Sequence, residues 1–164
     1  MKLLGMLLIA AVGTGWGLMM GRRVRERAAA LELLARFAER LAERIRYTAA
    51  PLYALWQEMI PEFEQLPLLR QLNRAALMQQ DWCEAVPTAA EEMYLNAEDT
   101  RLLTEFIRGL GKADVEGERR RCCQYAAQFR SRGEEARAES TRKGALYVTL
   151  GICGGSMAAL LLGG

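Results

Sequence analysis

The sequence predicts an all-α protein: an antiparallel helical bundle in the cytoplasm, flanked by N- and C-terminal transmembrane helices. Three observations predict it. Ala, Leu, Arg and Glu dominate the 164 residues, and these residues favour helices over sheets. No stretch shows the strict apolar/polar alternation of a half-buried strand. The charges are also confined. Apart from Lys2 they all lie between Arg22 and Lys143, which leaves an uncharged run at each end.

Residues 3–21 form an uncharged run of 19, and residues 144–164 one of 21. A helix crosses a bilayer core of ~30 Å with about 20 apolar residues. The expected organisation is therefore a transmembrane helix at 3–21, a helical domain at 22–143 and a second transmembrane helix at 144–162. A secretory signal peptide is the other reading of the first run. Against it, an apolar signal core is about 7–15 residues long, no A-x-A site follows, and Arg22, Arg23, Arg25 and Arg27 come at once. A buried core helix is the other reading of the second run, but it carries only Thr149 and Ser156 as a polar face.

The basic flanks set the orientation, because Lys and Arg next to a span stay on the cytoplasmic side. Arg22, Arg23 and Arg25 adjoin the first run, and Arg142 and Lys143 adjoin the second. The middle of the chain should be cytoplasmic. These membrane-proximal cations also suit anionic lipid headgroups. Free thiols at Cys83, Cys122 and Cys123 fit a reducing compartment. Gly13, Gly17 and Gly21 recur every fourth residue, as do Gly151, Gly155 and Ala159. Such small-residue stripes let membrane helices approach closely. The bland alternative is that glycine is simply common in membrane helices.

In the middle, Val24, Ala28, Leu31, Leu34, Ala38, Leu41 and Ile45 step by three and four, which is a helical stripe. Pro51 ends that helix and opens a short one with Leu52, Leu55, Trp56, Met59 and Ile60. Pro61 and Pro67 bracket a connection. Leu68, Leu69, Leu72, Ala76 and Leu77 mark the next helix. Asp81 and Glu84 read as a capping box for a short helix with Trp82 and Val86. Pro87 is expected to open a further helix with Met93 and Leu95. The helix from Glu98 to Leu110 ends at Gly111, a natural cap. Asp114 caps a last helix whose stripe is Val115, Cys122, Tyr125, Ala126, Phe129, Gly133 and Ala136. The outer segments 22–48 and 115–143 hold 27 and 29 residues, about 40 Å each as helices. They should form an antiparallel stalk.

Several chemistries are excluded. The chain has no His, which removes His bases, triads and His-ligated metals. A net charge of +2 argues against nucleic-acid binding. The segment from Arg108 to Ala113 faintly resembles a phosphate loop, but it lacks the leading Gly, the Mg²⁺-holding hydroxyl and a preceding strand. Cys122-Cys123 reads as a core residue beside an incidental neighbour. Glu39 and Glu43 lack the Glu-x-x-His partners of a di-iron bundle. No cofactor, metal or catalytic group is expected.

Charge is unevenly shared. Residues 22–46 carry +4 and residues 115–143 carry +3, while residues 47–114 carry −6. The acidic portion suits either a basic protein surface or ordinary solvated helix faces.

Several segments, taken in order, resemble one family. They are Lys2-Leu3-Leu4-Gly5; the run from Glu43 to Leu52, with Ile45, Tyr47 and Pro51; Trp82; Leu103 to Asp114; and Tyr147-Val148-Thr149-Leu150-Gly151 with Gly155. The family is stage III sporulation protein AB, and the likeness covers nearly the whole chain. The resemblance implies a non-enzymatic platform subunit of a sporulation channel or secretion-like complex. It would sit in the mother-cell membrane around the forespore, among other sporulation-complex membrane proteins. It also implies a distant likeness to the type II secretion platform protein F, a possible homo-oligomer and a secretion-type ATPase as partner. On that reading the acidic helices are the ATPase-facing surface, through Glu58, Glu62, Glu64, Glu84, Glu91, Glu92, Glu98 and Asp99. The alternative is a small membrane-anchored sensor or adaptor unrelated to secretion.

Overall fold

The computed structural model describes residues 2–47 and 51–163, and the side chains of 22–47 and 51–142. Every regular element among them is helical: α1 (Lys2–Tyr47), α2 (Leu52–Met59), α3 (Pro67–Leu77), α4 (Trp82–Glu92), α5 (Ala97–Gly109) and α6 (Val115–Gly163). The chain forms two compact units, one of Glu26–Glu134 and one of Met1–Arg25 with Glu135–Gly164. Among the described residues no helix is long and apolar enough to cross a membrane. The side chains of the two uncharged runs, 3–21 and 144–162, lie outside the described ones. So do Gly13, Gly17, Gly21, Gly151, Gly155, Ala159 and Lys143.

Within Glu26–Glu134, α1 and α6 run antiparallel. Gly133 of α6 lies against Ala28 and Leu31 of α1, while Arg130 reaches Glu39, further along α1, at 2.6 Å. The expected α1 stripe is buried from Ala28 to Ile45. The buried face is wider than that stripe, because Ala35, Phe37 and Ala42 are buried too. A helix enclosed by several neighbours buries more than one narrow seam. Phe37 meets Phe63 edge-on at 5.7 Å. Phe63 and Leu66 therefore belong to the core, although they fall in the stretch read only as a connection. On the other side Phe106 of α5 packs edge-on against Phe129 of α6 at 5.8 Å. Truncating a buried Phe of this kind costs about 3–5 kcal/mol.

Two expectations about α4 and α6 are corrected. Pro87 does not open a new helix. It lies inside α4, which runs unbroken from Trp82 to Glu92. Its ring is exposed, so the carbonyl that loses its N–H partner can be met by water. The Asp81 carboxylate accepts from the Cys83 N–H at 2.9 Å, which fixes the helix start. Val115 is the first residue of α6 and stands 57% exposed, outside the core stripe. Glu118, one turn on, is buried in its place.

The turns between helices follow local chemistry. Helices α3 and α4 both end with a residue at positive φ, Gln79 and Tyr94, each at φ 55°. In each case the next N–H reaches back six residues inclusive, Gln80 to Ala75 and Leu95 to Ala90, both at 2.9 Å. That is the Schellman closure of a helix end. Gly111 follows α5 at φ +80°, a conformation glycine adopts without side-chain strain. It is not the cap the sequence anticipates: α5 ends at Gly109, Leu110 in an extended conformation is its C-cap, and Gly111 carries the turn that follows.

Candidate interaction surfaces

The eight candidate carboxylates do not form one free patch. Five are matched to arginines, four of them on exposed residues. Glu58 of α2 pairs with Arg44 of α1 at 2.5 Å, and Glu62 pairs with Arg40 at 3.0 Å. Glu92 pairs with Arg70 across α3 and α4 and also accepts from Gln71 at 2.6 Å. Glu98 pairs with Arg132 at 2.6 Å. Exposed pairs of this kind contribute little to stability, but they neutralise the local field. Glu64, Glu84 and Glu91 are exposed and have no ion partner among the described residues.

Asp99 departs from the expectation of an exposed, ATPase-facing group. Its side chain is 0% exposed, and its Oδ2 accepts from Arg27 Nε at 2.6 Å. Arg132 lies 3.9 Å from its Oδ1. The sequence pattern hides this, because Asp99 stands in the first turn of α5, where a solvated acid is the ordinary finding. Here that turn faces both long helices, and the carboxylate becomes their common anchor.

A groove of about 310 Å³ opens between α1 and the α2–α3 turn, lined by Leu33, Arg36, Glu39, Arg40, Glu43, Glu62 and Phe63. Leu33 and Phe63 give it an apolar part, and its other lining residues carry both signs of charge. Glu43 and Glu62 hold the Arg40 proton more tightly than usual through hydrogen bonds to its guanidinium. Arg36 is exposed and has no ion partner among the described residues.

The turn that resembles a phosphate loop is already filled from within. The Glu118 carboxylate accepts from the backbone N–H groups of Lys112 and Ala113 at 3.1 and 3.2 Å. Arg121 donates to the carbonyl of Glu105 at 2.7 Å, capping the end of α5 with a cation where the helix dipole is negative. Its guanidinium lies over Gly109, where a Cβ would sit 1.4 Å from Arg121 Nη2. A basic residue near a helix end was the only signal for this cap, and it came from a different helix.

Cys122 is buried and Cys123 exposed, and both are free. Burial pushes the Cys122 thiol up to about 12, with the nearby Glu118 charge adding to the effect. The two side chains point about 100° apart on the helix, which fits a core residue beside a surface one. Of the cations expected beside the membrane, Arg22, Arg23, Arg25 and Arg142 are exposed. Among the described residues no three His, Cys, Asp or Glu side chains are placed to hold a metal ion.

The fold and these surfaces define an all-helical bundle protein with two long terminal helices, its described surface laced with arginine–carboxylate pairs. The chain belongs to the stage III sporulation protein AB family, whose family model matches residues 2–163. No curated protein and no solved structure is similar enough to register as a match. Three of the residues that carry the family likeness sit at corners of the bundle. Pro51 precedes α2, Trp82 opens α4 and meets Trp56 at 4.3 Å, and the Asp114 carboxylate accepts from the Gly117 N–H at 3.2 Å.

Proposed function

We propose that the protein is a membrane platform subunit of a sporulation channel or secretion-like complex between mother cell and forespore. The helical unit would face the mother-cell cytoplasm and dock a secretion-type ATPase. The residues 3–21 and 144–162 would anchor it as transmembrane helices, and it would act as a scaffold with no reaction of its own. The single observation that carries this reading is membership of the sporulation family over residues 2–163.

The charge distribution supports the anchoring, since charges other than Lys2 stop at Arg22 and Lys143. The membrane-proximal arginines and Lys143 support the orientation and suit an anionic headgroup layer. The groove beside Phe63 supports the docking role. Its apolar Leu33 and Phe63 and its charged residues of both signs suit a partner loop carrying both signs. Asp99 is not part of that surface.

The test is retention of a secretion-type ATPase on the detergent-purified, immobilised chain. Retention that falls at least tenfold on Arg36→Glu with Glu62→Arg supports the reading. An ATPase that passes through unretained contradicts the docking role, and recovery of a signalling protein instead favours an adaptor.

A further inference from the structure

Among the described residues of Glu26–Glu134, four of the six large exposed apolar side chains, Tyr47, Val115, Leu77 and Met78, fall into two groups with opposite charge near them. The first group lies where α1 ends and α6 begins. Tyr47 is 78% exposed there and Val115 57% exposed. Arg46 stacks over the Tyr47 ring at 5.5 Å. Glu116 is the acid at this corner that feels Arg46, Arg119 and Arg120 together, and Glu116 bonds Arg119 at 2.7 Å. Arg46, Arg120 and the exposed Lys112 form no ion pair among the described residues and outnumber the exposed Asp114 carboxylate beside Val115, so the corner keeps an excess of positive charge. This corner is basic and apolar.

The second group lies along α4. Leu77 and Met78, 73% and 56% exposed, stand at the turn that leads into it. Glu84 and Glu91 are both exposed and seven residues apart, so they share one face of α4, about 10 Å from each other. Pro87 and Thr88 lie exposed between them. No described element covers this face, and no cation pairs with either carboxylate among the described residues. This face of α4 is acidic, and the apolar Leu77 and Met78 stand with the exposed Arg74 at the turn before it.

We infer that the protein binds a second copy of itself by setting the Arg46–Arg120 corner of one copy on the Glu84–Glu91 face of α4 of the next. The occupant follows from charge complementarity. Each copy carries both halves of the contact, and the whole chain is only +2, so like-charge repulsion between copies is weak. The contact joins two different surfaces. It closes into a symmetric pair when both corners engage at once, and otherwise repeats head to tail. The apolar groups are few, so the contact is of the weak, salt-sensitive kind. Confinement in one membrane would raise its occupancy by raising local concentration. The inference does not rest on the ATPase reading, since the residues named for the contact do not line that groove.

The experiment measures the mass of the full chain in detergent by light scattering, with the detergent contribution subtracted. At low salt the wild type should appear at twice the single-chain mass or more. It should fall to single-chain mass in about 1 M NaCl, where charges are screened beyond about 3 Å. Arg46→Glu with Arg120→Glu should be single at low salt, as should Glu84→Arg with Glu91→Arg. An equimolar mixture of the two variants should associate again, because every basic corner then meets an acidic face. A wild type that stays single at low salt overturns the inference, as do variants that associate like the wild type or a mixture that stays single. Should a reversal variant lose its helical circular dichroism, Arg46→Gln with Arg120→Gln and Glu84→Gln with Glu91→Gln decide by the same comparison.

Discussion

Arg27 Nε donates to Asp99 Oδ2 at 2.6 Å across 72 residues of sequence, and this buried pair ties α1 to the first turn of α5. Arg132 of α6 approaches the same carboxylate from the other side. Removing one partner of a buried pair leaves an uncompensated charge, whereas replacing both with apolar groups is often close to neutral. Asp99→Ala should therefore destabilise the protein by about 3 kcal/mol. Arg27→Met with Asp99→Leu should recover most of that loss in a urea titration of the helical signal. Equal losses in the single and double variants would remove the pair from the account.

Gly133 should be replaceable at a gain. A Cβ there would meet Ala28 O at 3.5 Å and Leu31 Cβ at 3.6 Å, which is ordinary contact. Alanine also favours the helix interior by roughly 0.5–1 kcal/mol over glycine. Gly133→Ala should raise the denaturation midpoint, and a lowered midpoint would mean that α1 and α6 approach more closely than described.

Gln79 holds the left-handed position that closes α3, at φ 55°, which costs a residue with a Cβ roughly 1–2 kcal/mol. Gln79→Gly should stabilise the protein by about 0.5–1 kcal/mol once the added freedom of glycine in the unfolded chain is set against that relief. Thermal unfolding followed by circular dichroism checks it. An unchanged or lower midpoint would show that the Gln79 side chain makes a compensating contact.

The vicinal cysteines should behave as two different groups. Cys123 is exposed and should react readily with a maleimide at pH 7, while Cys122 should stay protected until the protein unfolds. The Cys122 thiol is raised from its ordinary value of 9.0 to about 12, so the fold favours the neutral form. Its contribution to stability is fully present below pH 9 and is lost as pH rises from there towards 12. Cys122→Ala should lose less stability than the wild type over that window. Equal rates of modification at the two thiols in the folded protein would contradict the assignment.

Much of this was legible in the chain itself. Steps of three and four from Ala28 to Ile45 placed one face of α1, and Pro51, Asp81, Gly111 and Asp114 marked the corners by local chemistry. What was hidden depends on neighbours distant in sequence. Phe37 lies off the stripe and is buried because Phe63 covers it. Pro87 looked like a helix start, yet Asp81 had already capped that helix and the ring could point to solvent. Asp99 looked like a solvated first-turn acid, and only the approach of α1 and α6 makes it a buried anchor. The acidic portion is strongly negative by count, but pairing with Arg40, Arg44, Arg70 and Arg132 is a tertiary matter that composition does not reveal.

The central claim is that the chain is held in the cell membrane by its uncharged ends with the charged helices on the cytoplasmic side. Alkaline carbonate extraction of membranes combined with thiol labelling tests it most directly. The account predicts that the full chain stays in the membrane pellet, and that Cys123 escapes a membrane-impermeant maleimide in intact cells but reacts once they are opened. A chain released by carbonate, or labelled at Cys123 in intact cells, would contradict it.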